Sequence, residues 1–428
     1  MYKNILVIII LFSFLTLISC KEPDETPSPQ NSAVEANEKI LTVMKEWYLW
    51  NDQLPNIKAS DYSSPKDFLD ALLYSEVDKW SYIQDEKTFK QYFQEGKFFG
   101  FGFGMKLDGE ENLRVTFVHK DSPMDKANIT RGYKIVSIGG TSVAELIATN
   151  ALSSAFGANQ AGVAVNMEVE GLEGVKRQIS VTKEEVKINS VLHREVKEVD
   201  GVKVGYLVFN NFVATSIVEL DEAFVFFKQE GVTELALDLR YNGGGSLNVA
   251  QYLANLIGAS KGGTGKFVEL TYNAAKQNSN QPYNFSSELS GINLERLFVI
   301  TSRGTASASE AIINGLRPYM QVITVGDYTG GKPVGMNTFI FDGYALVPIT
   351  FKVNNSLGEA EYFEGISPDG ASLDDLSVLF GDDGEDSFQE VLYYIKNGAF
   401  SASSARTKQS ASQDVIQLQG FQAEIGAF

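Results

Sequence analysis

The spacing of apolar residues changes along the chain, and each change marks a different kind of structure. Residues 5–18 are almost all apolar, a length that is short for a membrane span and typical of the core of an export signal. Residues 38–95 place apolar side chains three to four positions apart, as Ile40, Val43 and Met44 do. This spacing predicts helices. We therefore expect an export signal followed by a small helical domain.

Residues 96–395 have shorter apolar runs, with alternation and many glycines. Residues 113–118 alternate, which indicates a strand with one buried face. From residue 202 onward, predicted apolar strands alternate with predicted amphipathic helices. This alternation predicts an α/β core with a largely parallel sheet. The predicted strands are 202–208, 234–239, 297–301, 322–325 and 344–353, and the predicted helices are 217–229, 247–257 and 307–316.

Composition narrows the classes of function. The chain has 428 residues, 44% of them apolar, and a formal net charge of −18. The negative charge argues against a nucleic-acid partner, because binding phosphate requires a basic face. One cysteine (Cys20) and two histidines (His119 and His193) are too few for a disulfide framework or a His/Cys metal cluster. We expect no metal and no nucleic acid.

The first residues resemble the signal of a bacterial lipoprotein. Lys3 precedes the apolar run, and residues 17–20 read Leu-Ile-Ser-Cys, similar to a lipobox. The resemblance implies that 1–20 is a lipoprotein signal peptide and that Cys20 is lipidated. Residues 21–37, rich in Pro, Ser and acidic side chains, are expected to form a flexible tether. The protein would then be exported to the bacterial cell envelope and held on a membrane by lipid. An acidic stretch after Cys20 resembles surface-export signals and points to the outer membrane or cell surface.

Residues 96–185 resemble a PDZ domain. The order Ser122-Pro123, then Ala127, then Gly132 followed by two spaced isoleucines is the main similarity. PDZ domains bind free C-termini as an added strand, and a glycine-rich loop holds the carboxylate through backbone N–H groups. An insert with an ordinary glycine turn is the alternative. The resemblance implies that the carboxylate loop consists of Gly100, Phe101, Gly102, Phe103 and Gly104.

Two glycine-rich turns carry the candidate chemistry. Residues 238–245 (Asp-Leu-Arg-Tyr-Asn-Gly-Gly-Gly) follow one predicted strand, and residues 304–310 (Gly-Thr-Ala-Ser-Ala-Ser-Glu) follow another and open a helix. Such turns direct N–H groups and a helix dipole at one point, where a phosphate or an oxyanion can bind. Neither turn ends in the Gly-Lys-Ser/Thr of a phosphate-binding loop, which favours an oxyanion.

Ser307 in the second turn needs a base to become a nucleophile. His119 and His193 are distant in sequence, whereas Lys332 follows two glycines in a nearby segment. A lysine can act as a base where burial lowers its pKa toward neutrality. Glu310 is expected to be a capping-box partner of Ser307.

These turns, together with residues 326–335, resemble the carboxyl-terminal processing proteases, a family that uses a Ser–Lys pair. The resemblance implies that Ser307 is the nucleophile and that Lys332, 25 residues later, is the base. It implies an oxyanion hole made of the N–H groups of Ala308 and Gly244. The implied activity is cleavage of protein or peptide substrates with free C-termini, near those C-termini, through an acyl-enzyme and without a cofactor.

The resemblance also implies a domain plan. A helical domain (38–95) and the PDZ-like domain (96–185) would precede a ClpP/crotonase-like α/β protease core (186–395). Residues 396–428, rich in Ser, Ala and Gln at their end, would form a C-terminal tail.

One position departs from the family. Met336 stands four residues after Lys332, where the family often has a Gln that orients the lysine, and a thioether cannot donate a hydrogen bond. Asn337 could replace it, the pair could act alone, or activity could be low. The departure leaves open a non-catalytic peptide-binding lipoprotein on a degenerate protease fold, or a PDZ-bearing envelope scaffold. Acyl-CoA chemistry on a related fold needs no Ser–Lys pair and is less favoured.

Overall fold

The computed structural model describes residues 29–402 and residue 404. Its N-terminal unit is mainly helical and consists of α1 (Pro29–Trp47), α2 (Pro65–Leu72), β1 (Tyr82–Asp85) and α3 (Glu86–Phe93). Ser64 caps α2 by accepting a hydrogen bond from the N–H of Asp67 at 3.1 Å, as expected for serine before a helix.

The predicted start of this unit is wrong. Residues 29–37 were assigned to the tether, but they form the first turns of α1. Asn37 is fully buried, and its amide donates to the carbonyls of Ala59 (3.1 Å) and Tyr62 (3.0 Å). Asn37 therefore ties the end of this linker-like stretch to a later segment of the helical unit.

The PDZ-like segment folds around its own apolar core. Its main sheet has the order β3-β4-β5-β7-β8, with β3 at one edge, and a separate ribbon of β2 and β9 joins both ends of the unit to the rest of the chain. The elements are β2 (Lys97–Gly100), β3 (Phe103–Leu107), β4 (Leu113–Val118), α4 (Pro123–Lys126), β5 (Lys134–Ile138), β6 (Thr141–Ser142), α5 (Val143–Ala148), α6 (Leu152–Ala155), β7 (Ala164–Glu170), β8 (Lys176–Thr182) and β9 (Glu184–Lys187).

The third unit is the α/β core. Its elements are β10 (Val191–Val199), β11 (Val202–Phe209), α7 (Ser216–Glu230), β12 (Glu234–Asp238), α8 (Leu247–Gly262), β13 (Lys266–Tyr272), β14 (Gln281–Asn284), β15 (Arg296–Thr301), α9 (Ala308–Leu316), β16 (Gln321–Gly326), β17 (Val334–Met336), β18 (Phe339–Phe341), β19 (Tyr344–Val347), β20 (Ile349–Asn355), β21 (Gly370–Ala371) and α10 (Asp386–Asn397).

The main sheet of this core is largely parallel, as predicted. Its order is β10-β11-β12-β15-β16-β21, and every pair from β11 onward is parallel. Leu207 and Phe209 point to the face covered by α7, α8 and α9, while Tyr206 and Val208 point to the face covered by α10. Both faces are buried, which explains why these strands read as continuous apolar runs.

The predicted strand 344–353 is two strands. β19 ends before Pro348 and pairs with β1 of the N-terminal unit, whereas β20 pairs with β13 in a four-stranded sheet ordered β14-β13-β20-β17. Proline has no N–H to donate to a ladder, so the chain changes sheets there. This break attaches the N-terminal unit to the core.

The predicted tail 396–428 starts too early. α10 continues through Asn397, and the Phe400 ring lies 4.7 Å from that of Tyr394, next to Phe298. The first residues of the tail therefore belong to the core, while residues 405–428 lie outside the described residues. The predicted signal peptide, Cys20 and the tether up to residue 28 also lie outside them. Within the described residues, no helix has the length and apolar character needed to cross a membrane.

A buried ionic cluster joins the PDZ-like unit to the core. Arg131, before β5, donates to Asp374 at 3.0 Å and to the Tyr241 hydroxyl at 2.5 Å. Arg240 donates to Asp374 at 3.1 Å, and also to Asp238 and Glu385. Burial alone would raise the pKa of Asp374, but Arg131, Lys106 and Arg240 more than offset it and hold that pKa well below its usual range. The cluster fixes the turn that begins at Asp238.

Candidate active site

The candidate residues lie at the carboxyl ends of three adjacent parallel strands. β15 pairs with β12 on one side and with β16 on the other. Gly244 follows β12, Ser307 follows β15, and Lys332 follows β16. Carboxyl ends of parallel strands meet at one edge of a sheet, so the topology gathers the predicted residues from three segments.

Ser307 has a strained backbone. Its φ is 57° and its ψ is −114°, a region that residues with a side chain rarely adopt and that costs about 1–3 kcal/mol. Asn242 helps to hold it, because the Asn242 carbonyl accepts from the N–H of Ala306 at 3.1 Å and from the hydroxyl of Ser309 at 2.9 Å. Strain of this kind concentrates at functional sites, and here it falls on the predicted nucleophile.

Glu310 connects the serine segment to the lysine segment. Its Oε2 accepts from the N–H of Ser307 (2.9 Å) and from the N–H of Lys332 (2.8 Å). Its Oε1 accepts from the N–H of Gly331 (2.8 Å) and the hydroxyl of Thr329 (2.5 Å). Burial raises the pKa of Glu310, and these four donors oppose that rise by stabilising the carboxylate. One buried carboxylate thus positions both backbones, a wider role than the predicted helix cap.

Lys332 is nearly fully buried, with 3% of its surface exposed. Gly330 lets its segment approach the serine turn, since a Cβ at Gly330 would lie 3.0 Å from the Cβ of Ala306. Gly331 has a φ of 82°, and a Cβ there would lie 2.2 Å from the Phe363 carbonyl. Only glycine fits at Gly331. The lysine segment can therefore pack closely against the turn that carries Ser307.

The two predicted oxyanion residues lie side by side. A Cβ on Gly244 would be 2.8 Å from the Cβ of Ser307 and 3.0 Å from the nitrogen of Ala308. Ala308 is the first residue of α9, where N–H groups have no partner within the helix. The Gly244 N–H, however, donates to Oδ1 of Asn242 at 2.9 Å. That N–H must leave Asn242, or be shared with it, before it can bind a substrate oxygen.

Neither histidine belongs to this site. His119 lies in the PDZ-like unit, bonded to Asn189 at 3.1 Å, and burial lowers its pKa to about 4. His193 lies on β10 beside Glu195, 3.7 Å away, and burial also lowers its pKa. Asn337, one candidate to orient Lys332, donates its side-chain amide to the Tyr272 hydroxyl at 3.3 Å.

The predicted carboxylate loop lies where the β2–β9 ribbon meets the edge strand β3. Gly102 has a φ of 80°, and a Cβ there would be 2.3 Å from that of Ser122. The rings of Phe101 and Phe103 are buried and pack on Phe156, 6.2 Å and 6.0 Å away. Gly100 ends β2, and Gly104 lies in β3 with no room for a side chain beside Phe117.

A cavity of about 270 Å³ opens beside Ser307. Sequence reasoning missed most of its walls, because they come from distant segments without a local signal. The N-terminal unit contributes Tyr82, Phe89 and Phe93, and the core contributes Met336 and Phe351 among others. Met336 therefore faces the same space as the predicted nucleophile.

Comparison with known protein families matches two parts of the chain. Residues 203–371 match the model of Peptidase family S41, and residues 35–82 match the Peptidase S41 N-terminal domain. The first range contains the turns with Gly244, Ser307 and Lys332. The second contains α1, α2 and the segment that leads into β1.

Individual relatives agree with these matches. A probable CtpA-like serine protease of Staphylococcus epidermidis is 26% identical over 377 residues, covering 85% of this chain and 71% of the relative. One from Staphylococcus aureus is 27% identical over 373 residues, covering 84% and 70%.

Solved structures share the fold. A Bacteroides fragilis protein assigned to the S41 proteases superposes with a TM-score of 0.67 and 25% identity, covering 84% of this chain and 97% of that one. The photosystem II D1 C-terminal processing protease has a TM-score of 0.53 and 20% identity, covering 89% and 100%. With the α/β core, the N-terminal S41 domain and the serine-bearing turn, these similarities show that the chain belongs to peptidase family S41, as a CtpA-like serine protease.

Proposed function

We propose that the protein cleaves protein substrates through a Ser307–Lys332 dyad and an acyl-enzyme. The observation that carries this proposal is the pair of hydrogen bonds to Glu310 Oε2, which bring the backbones of Ser307 and Lys332 to one oxygen atom. The strained Ser307 backbone and its position on a cavity wall support the same roles.

The proposed chemistry has two acyl-transfer steps. The neutral amine of Lys332 takes the proton of the Ser307 hydroxyl as Oγ bonds to the substrate carbonyl carbon. The C–N bond then breaks, and the leaving amine takes that proton from the lysine ammonium. Water adds to the ester in the same way, with Lys332 first accepting and then returning a proton, so that a carboxylic acid leaves and the enzyme is regenerated.

Ala308 and Gly244 are the proposed oxyanion donors. Ala308 offers the N–H at the start of α9, where the helix dipole adds positive potential. Gly244 is adjacent, but its N–H is bonded to Asn242. We propose that substrate binding turns the Gly244 peptide group toward the oxyanion, which replaces a neutral hydrogen bond with a stronger, charge-assisted one.

We further propose that the PDZ-like unit binds substrate C-termini. β3 lies at the edge of its sheet, next to the loop Gly100–Gly104, and an edge strand can accept an added peptide strand. A fluorescent peptide with an apolar C-terminus should bind, and the same peptide with an amidated C-terminus should not. Equal binding of the two would refute capture of the carboxylate.

Anchoring at the cell envelope through Cys20 is also proposed, on the lipobox-like sequence. Replacing Cys20 with Ala should prevent lipidation and release the protein from the membrane fraction, as measured by mass spectrometry and fractionation. An unmodified Cys20 in the native protein would refute the anchor.

The central test uses soluble protein (residues 21–428) with an unfolded substrate that has an apolar C-terminus. We expect wild type to cleave it and to be labelled at Ser307 by a fluorophosphonate probe. Ser307→Ala should lose turnover by about a thousandfold or more. Lys332→Arg should lose it as well at neutral pH, because a guanidinium does not give up its proton to act as a base.

Ser287→Ala is a matched control, since Ser287 is exposed, is not among the residues that line the cavity and has no assigned chemical role. It should retain labelling and turnover. Full activity of Ser307→Ala would refute the assignment. A wild-type protein that binds peptides, cleaves none and resists the probe would instead support the non-catalytic peptide-binding alternative.

A further inference from the structure

The cavity beside Ser307 is uncharged, and most of the residues that line it are apolar or aromatic. Of the described residues that line it, none is Asp, Glu, Lys, Arg or His. Burying a charge without an ion-pair partner is unfavourable, and these residues offer no charge of opposite sign. The apolar walls come from the N-terminal unit, the start of α8 and the four-stranded sheet, with side chains that include Phe89, Phe93, Leu247, Leu270, Met336 and Phe351.

Met336 reaches this cavity because β17 is irregular. Gly335 pairs with Phe351 and Met336 with Ile349, so Thr350 is skipped in the register. The Thr350 hydroxyl accepts the N–H of the next residue, Asn337, at 2.9 Å. A bulge of this kind re-aims the side chains of a strand and is common next to active sites. Here Met336 packs with Phe89 on the cluster that contains Tyr82.

Gly335 shapes the same wall. A Cβ at Gly335 would lie 2.1 Å from the ring of Phe351, which itself lines the cavity. The missing side chain therefore leaves space for that ring. Gly335 and Met336 therefore form an apolar part of this wall, which continues into the polar residues Asn337 and Thr338.

We propose that this cavity binds a large apolar side chain on the substrate residue whose carbonyl Ser307 attacks, and that Met336 determines this specificity instead of orienting Lys332. The proposal rests on the function proposed above. Ser307 lines the cavity, so the side chain on the attacked residue is the one that can enter it. Met336 supplies a flexible apolar wall, which suits aromatic and long aliphatic side chains alike.

The cavity size sets the expected preference. An apolar cavity of about 150 Å³ is enough to hold a benzene ring, so 270 Å³ accepts Phe, Leu or Met. Alanine would leave most of the space empty. We expect kcat/KM to be about 10- to 100-fold higher for Leu or Phe than for Ala before the cleaved bond, and lower still for Asp.

The experiment uses matched peptides that differ only at that residue (Ala, Leu, Phe, Gln or Asp) and reads kcat and KM separately across pH. Met336→Leu, which stays apolar at similar volume, is the control and should keep the preference. Met336→Gln should lower kcat/KM for Leu and Phe by about 10- to 50-fold, because the new amide loses its water when an apolar side chain enters. The shape of the pH–rate profile should not change.

The outcomes separate this proposal from the one on which it rests. Cleavage with a preference for Ala, or for a charged residue, would overturn the cavity assignment while leaving the dyad intact. A Met336→Gln variant with a raised kcat, a shifted pH profile and the same preference would assign this position to the base. A wild type that neither cleaves nor reacts with the fluorophosphonate probe would overturn both proposals.

Discussion

Glu310→Gln is the sharpest perturbation of the site, because it changes charge and hydrogen bonding while preserving size. In wild type, each carboxylate oxygen accepts two hydrogen bonds, and three of the four donors are backbone N–H groups. An amide keeps one acceptor oxygen and replaces the other with an NH₂ group. Whichever oxygen is replaced, the two hydrogen-bond donors that it accepted from now face an NH₂ group, which cannot accept from them.

The size of the effect follows from those contacts. A hydrogen bond to a charged group contributes about 1.5–3 kcal/mol, so losing two sets an upper limit of about 3–6 kcal/mol. Burying a neutral amide is less costly than burying a carboxylate, and burial already raises the pKa of Glu310. We therefore expect a loss of about 2–3 kcal/mol in unfolding free energy. If the same 2–3 kcal/mol is lost from transition-state stabilisation, kcat should fall about 30- to 150-fold, because about 1.4 kcal/mol in a barrier is tenfold in rate.

The assay combines urea unfolding, kcat and KM on a peptide substrate, and the rate of fluorophosphonate labelling at Ser307. A positioning role predicts lower kcat and slower labelling with little change in KM and in binding of C-terminal peptides. Glu361→Gln is the matched control, since its side chain is 75% exposed in an ion pair with Lys352 and such pairs contribute little. If Glu310→Gln kept kcat within about threefold of wild type, the shared carboxylate would not be what aligns the dyad.

Three further predictions concern the packing around the site. His119, whose burial lowers its pKa to about 4, takes up its proton more readily in the unfolded chain. The unfolding free energy should therefore fall by about 3 kcal/mol as pH drops from 6.5 toward 4. His119→Phe should remove that part of the pH dependence of urea unfolding. An unchanged pH dependence in the variant would contradict the role of His119. Arg131→Ala should cost about 3–5 kcal/mol of unfolding free energy, because it leaves Asp374 with one buried cation fewer; a loss below about 1 kcal/mol would argue against the cluster. Gly335→Ala should displace the Phe351 ring and lower kcat/KM for Phe-containing peptides more than for Ala-containing ones, and equal effects on both would show that the wall lies elsewhere.

The core strands were predictable because their signals are local. β11, β12, β15 and β16 are buried on both faces, so each appears as a short apolar run between turns. The glycine-rich turns at their carboxyl ends are equally visible, and parallel pairing brings such ends together. The predicted positions of Gly244, Ser307, Ala308 and Lys332 at one sheet edge follow from this topology.

Segments whose structure depends on distant partners were not predictable. Residues 29–37 have the composition of a linker, yet Asn37 is held by carbonyls more than twenty positions away. β13 and β14 were not among the predicted strands, and they form a second sheet with β20 rather than extending the main one. Pro348 is visible in the sequence, but only the pairing of β19 with β1 shows that it divides two sheets.

The sequence by itself determined the residue types that this chemistry needs, because a nucleophile, a base and glycines at strand ends are local features with a fixed spacing. Only the tertiary structure decided how they act. It alone reveals that Glu310 binds both the serine and lysine backbones, and that the Gly244 N–H is bonded to Asn242. It also reveals that Met336 lines an uncharged cavity whose walls are mainly apolar or aromatic. The bond between Glu310 and Lys332 joins two segments of the core, and the cavity forms only where the N-terminal unit packs against that core. The bond from Gly244 to Asn242 is local, but only the folded backbone of the turn directs the N–H at that oxygen.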